Sequence, residues 1–153
     1  MINQPIRITH PMIAAIGIVS ILFFSFMAAL SWRNGEGNIA LVFLLFVALG
    51  LYVWLTAGET EMNSLHIRRR AYLGTYAMRW DEVTVVEFDP DGQGILLRGD
   101  QKKLAIPGII YWPGAQREAG LRFLHEQAER QGIPVRDNPW AGFHRSKNTR
   151  EPF

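Results

Sequence analysis

Hydrophobic and polar positions are segregated along this chain. From Met12 to Trp32 the sequence MIAAIGIVSILFFSFMAALSW carries no charge, and neither does IALVFLLFVALGLYVWLTA from Ile39 to Ala57. A bilayer core of about 30 Å needs roughly 20 helical residues, so each run is long enough to span it. RNGEGN, Arg33–Asn38, separates the two with glycines and asparagines that favour a tight turn. The pattern therefore predicts an antiparallel helical hairpin. Pro11 suits the first turn of the first helix, where its missing N–H costs nothing. The first run exceeds the apolar core of a signal peptide and is preceded by a single arginine, so it reads as a retained span.

From Thr60 the pattern breaks into short segments. TEMNSLHIR alternates, and YAMRW and EVTVVEF are rich in β-branched and aromatic residues. DPDGQG is a turn, followed by ILLR, the turn GDQKK and LAIPG, with GIIYW as a possible further strand. This spacing predicts an antiparallel meander of five strands, or six with GIIYW. The period then lengthens. Pro113–Gln131 places Leu121, Leu124 and Ala128 on one helical face with Phe123 beside them, and Gly132 and Pro134 end it. The predicted organisation is a hairpin over residues 1–58, a soluble domain over 59–134 and an irregular polar tail over 135–153. In that tail Trp140 and Phe143 stand out as apolar side chains that either fold back or touch a partner.

Charge sharpens the picture. Before Gly58 only Arg7, Arg33 and Glu36 are charged; the remaining fourteen of sixteen Lys/Arg and thirteen of fourteen Asp/Glu follow it. The soluble part is thus nearly balanced and offers no positive surplus for nucleic acid. Cysteine is absent, which excludes disulfides, thiolate metal sites and thiol nucleophiles. Arg68, Arg69 and Arg70 outweigh the lone Arg33 of the inter-span turn, so the Lys/Arg bias puts both flanks on the cytoplasmic side, of a bacterial inner membrane or a thylakoid.

TEMNSLHIRRRAYLGTYAMRWDEVTVVEF, GILLRGDQKKLAIPG and the helix-favouring stretch after Pro113 together resemble the bacterial PH-like membrane-protein family. The resemblance implies a PH-like antiparallel barrel or curved sheet of about seven strands, closed by the C-terminal amphipathic helix, and a scaffold or binding role. By the same resemblance RRAY would lie near a hairpin tip at the ligand mouth. Arg68, Arg69 and Arg70, extended by Lys102 and Lys103, would there meet anionic lipid head groups or an acidic partner. The alternative is a solvated tip that serves topology alone.

Chemistry beyond this is sparse. DPDGQGILLRGD echoes a calcium loop, but Gln93 and Asp100 depart from it and strands flank it, so it reads as a hairpin turn. His10, His66, His125 and His144 lack metal-ligand spacing and read as ordinary surface histidines. No phosphate loop or nucleophile motif appears in the sequence. The expectation is a non-catalytic, cofactor-free, membrane-anchored module: an assembly factor or accessory subunit of a larger membrane complex, or alternatively an anionic-lipid or envelope-stress sensor.

Overall fold

The structure is a computed structural model that describes residues 5–144 together with 146 and 147. It divides into two compact units. One is the helical pair between Pro11 and Ala57; the other comprises the residues up to His10 and those from Gly58 onward.

In the helical unit, α1 (Pro11–Arg33) and α2 (Gly37–Thr56) are long and apolar enough to cross a membrane. Only 11% of the apolar window of each is buried, whereas a core helix of a soluble protein would be mostly covered. Leu22, Phe26, Leu41 and Leu45 point outward. A helix that is apolar on every face belongs in an apolar solvent or a large core. Small residues set the contact between the two helices. A Cβ on Gly17 would lie 2.7 Å from the backbone N of Trp54, and one on Gly50 would lie 3.0 Å from the Ser20 side chain. Gly35, with φ of 79°, makes the turn.

The second unit is an α+β domain. A strand precedes the spans: β1 (Ile6–Thr9) pairs with β2 (Gly58–Met62), so the helical hairpin is inserted between adjacent strands of one sheet. β3 (His66–Ala71) and β4 (Gly74–Arg79) complete it in the order β1-β2-β3-β4. Ile6–Thr9, expected within a hairpin segment over residues 1–58, therefore belongs to the sheet unit. The second sheet has the order β7-β6-β5-β8, from β5 (Val85–Phe88), β6 (Gly94–Arg98), β7 (Lys103–Pro107) and β8 (Val135–Asp137). β8 joins in parallel, at a place where the sequence predicts only irregular tail. GIIYW is not a strand: Ile109–Tyr111 form a 3-10 turn.

The sheets are not closed into the expected barrel. Trp80–Glu82 form a 3-10 corner between β4 and β5 that ends the first ladder. The free edges are satisfied in other ways. Gln116 Oε1 accepts the Thr9 N–H at 3.2 Å, and Ser146 Oγ accepts the Ala105 N–H at 3.1 Å. α3 (Gly114–Gln131) begins and ends as predicted, with Gly132 in the left-handed conformation at φ 66°. Helix, corner and both sheets share one core, built on Ile8, Met62, Ile67, Trp80, Leu97 and Leu124. Gly120 permits the close approach of α3, since a Cβ there would stand 2.7 Å from Ile8 Cδ1. β6 is buried on both faces, which explains its continuous apolar run; Leu96 on its outer face packs with Ala105 and with Ala141 from the tail.

Candidate functional site

The arginine triplet does not lie at a hairpin tip. Asn63 Oδ1 accepts the N–H groups of Leu65 and His66, each at 2.9 Å, which turns the chain at 63–65 and starts a new strand at His66. Arg68, Arg69 and Arg70 consequently occupy the middle and end of β3, which is hydrogen-bonded on both sides. The tip is Tyr72–Leu73. Strand alternation divides the three arginines between faces. Arg68 and Arg70 share the outer face with Glu59 and Glu61. The register there runs Arg7–Glu61–Arg68 across one row and Glu59–Arg70 across the next. Arg7 Nε lies 3.7 Å from Glu61 Oε2, and Arg70 Nη1 lies 3.5 Å from Glu59 Oε1. The outer face is thus a cross-strand charge ladder rather than a naked basic patch.

Partly exposed pairs of this kind contribute about 0.2–1 kcal/mol each. Glu61→Gln is expected to lower stability by about 1 kcal/mol at low ionic strength, and by less in high salt, measured by thermal unfolding of the detergent-solubilised chain. A salt-insensitive loss several times larger would contradict the ladder.

Arg69 faces inward. Its row is Ile8–Thr60–Arg69–Tyr76, and its Nη1 donates to the Ala105 carbonyl of β7 at 3.2 Å, tying the first sheet to the second. His10 lies beside this row. Far from being a surface histidine, it is 2% exposed, with Nε2 3.0 Å from Thr60 Oγ1. Its Nδ1 has no hydrogen-bond partner among the described residues. Burial, with the Arg69 charge as the second cause, lowers its pKa from 6.5 to about 4. Sequence reasoning missed this group because its hydrogen-bond partner, Thr60, is brought back only after both α1 and α2.

The remaining candidates are dispersed. Lys102 belongs to the turn before β7 and is paired with Glu82, whose carboxyl is held below its usual range chiefly by the Lys102 hydrogen bond and then by the Arg79 backbone N–H. Lys103 opens β7 opposite Arg98 and bridges to Lys147. The five basic residues are therefore shared between two sheets. Trp140 is 66% exposed, although its backbone N–H is held by Asn138 Oδ1 at 2.9 Å. The Asn138 side-chain amide in turn donates to Glu87 Oε2 at 2.8 Å, and its backbone N–H donates to the Phe88 carbonyl at 2.8 Å. The side chain of Phe143 lies outside the described set. Asp89, the first residue of the calcium-loop echo, folds onto its own turn by accepting the Asp91 N–H at 2.9 Å.

A scan of protein-family models and searches of curated proteins and of solved structures find no match to this chain.

Proposed function

We propose that this chain is a non-catalytic, membrane-anchored binding module of PH-like type, acting as an accessory subunit or assembly factor for a larger membrane protein complex. The observation that carries the reading is Trp140: a large aromatic left 66% exposed on a segment whose backbone is tied down on both sides. A rigidly held, exposed tryptophan is an economical interface anchor, because little side-chain entropy is lost on docking.

The strand order supports the membrane half of the proposal. β1 and β2 flank the two helices and pair with each other, so both flanks must lie on one side of any bilayer that the helices cross. The arginine bias favours the cytoplasm for that side, in our reading that of a bacterial inner membrane or a thylakoid. The order of four strands, three strands and a closing helix supports the PH-like reading, with β8 as an addition. The lipid-sensing alternative is less well supported, since Glu59 and Glu61 flank the outward arginines and Arg69 turns inward.

The test is affinity purification of the full chain from its native membrane in mild detergent, alongside Trp140→Ala. One stoichiometric membrane partner, depleted in the variant, is the expected result. Recovery of the wild-type protein alone would overturn the reading.

A further inference from the structure

The chain leaves the sheet and returns to it at neighbouring positions. His10 is the last residue before α1, and its N–H donates to the Gly58 carbonyl at 3.0 Å. α2 ends at Thr56, and Gly58 is already in register with Ala71. A Cβ on Gly58 would stand 1.9 Å from the Arg70 carbonyl oxygen, so β2 is pressed onto β3 at the very residue where the chain arrives. The chain therefore leaves the first sheet just after β1 and re-enters it at Gly58, at one and the same end of that sheet.

The β3–β4 tip belongs to that same end. Ala71 pairs with Gly58 on one side and with Gly74 on the other, and only Tyr72 and Leu73 lie beyond. Neighbouring strands are about 5 Å apart, which puts the tip within roughly 10 Å of Gly58 sideways. Tyr72 is 69% and Leu73 39% exposed, an aromatic and an aliphatic side chain presented together. Arg70, just before them, is half exposed and accompanied by Glu59. Tyrosine favours the head-group level of a bilayer, and Tyr52 and Trp54 lie in the last turns of α2. Among the described residues, the opposite end of the sheet presents Leu65, at the 63–65 turn.

We infer that the Tyr72–Leu73 tip seats in the lipid head-group interface as an attachment point additional to the two spans. This rests on the membrane reading of α1 and α2. Tyrosine and leucine at such a depth exchange water for acyl-chain boundary, with the tyrosine hydroxyl and Arg70 kept at the polar level. The attachment needs no free basic patch, which agrees with the acidic neighbours of the arginines.

The cysteine-free chain makes the test direct. Single-cysteine variants Tyr72→Cys, Leu73→Cys, Leu65→Cys and Leu45→Cys are labelled with an environment-sensitive fluorophore and reconstituted into phosphatidylcholine–phosphatidylglycerol vesicles bearing a shallow lipid-borne quencher for 65, 72 and 73 and a deep, acyl-chain-borne one for 45. Positions 72 and 73 are expected to be quenched several-fold more than position 65, with 45 marking full lipid exposure on the outward face of α2. Quenching at 45 with 72 and 73 no different from 65 would overturn the inference and leave the spans standing. A label at 45 that the lipid cannot reach would remove the membrane reading and this inference with it.

Discussion

Replacing Trp80 by alanine should cost the soluble unit about 3–5 kcal/mol, the range for removing a large aromatic from a packed core. Trp80 is 2% exposed and stands at the corner where the first sheet gives way to the second. Its Nε1–H donates to the Asn63 carbonyl at 2.8 Å, and its backbone N–H reaches the Leu65 carbonyl at 3.1 Å, so ring and backbone both hold the 63–65 turn. The Phe123 ring of α3 lies 6.4 Å away, centre to centre. Sheet, corner and helix therefore lose contacts at once. Typical domains are stable by only 5–15 kcal/mol, so this is a large fraction of the total. The midpoint of thermal unfolding, followed by near-ultraviolet circular dichroism, should fall by more than about 10 °C. Trp80→Phe separates the two contributions: it keeps most of the apolar contact but strands the Asn63 carbonyl, for an expected loss of about 1–3 kcal/mol. A midpoint unchanged by alanine would mean that the corner does not hold the two sheets together.

The corner also marks how far the sequence could be read. Trp80 is legible as the end of a strand because a run of β-formers stops there, and both charge-free spans and α3 stand where their periods put them. What escapes is what depends on distant partners. Ile6–Thr9 is four residues long and carries no turn signal of its own; it becomes a strand because β2 returns beside it after the intervening helical hairpin. β8 is three residues long and all three are exposed, so no alternation of buried apolar positions announces it. The misplaced arginines have a more local cause. The alternation of TEMNSLHIR continues through Asn63 and Ser64, hiding a side-chain-capped turn that those residue types do encode. Moving that turn by a few residues shifted Arg68–Arg70 from a solvated tip into a ladder, and made Tyr72–Leu73 the tip instead.

Acid should unfold the domain through His10 before it does so through the carboxylates. The pKa of His10 is lowered from 6.5 to about 4 by burial and by Arg69, so the folded state keeps it neutral while the unfolded chain takes up a proton. The unfolded state then binds more protons between these two values, and stability rises with pH across that window. The His10 contribution is fully present above about pH 6.5 and is lost as the pH falls towards 4, amounting to about 3 kcal/mol. Glu82 and Glu87 act lower on the scale. For Glu87 burial alone would raise the pKa, but hydrogen bonds from Asn138 and Arg98, with the charges of Arg98 and His144, leave it lowered; its stabilisation is lost only below the usual carboxylate range. The two regimes separate in a titration of thermal stability from neutral pH down to about pH 4. Wild type should lose stability steadily across this range, whereas His10→Gln, which keeps a polar group near Thr60 but cannot be protonated, should be nearly flat until the carboxylates titrate. An equally steep fall in His10→Gln would show that His10 is not the proton acceptor. A flat wild-type profile would mean that His10 is hydrated in solution, so that the end of the sheet at His10 is open to water rather than closed as its burial requires.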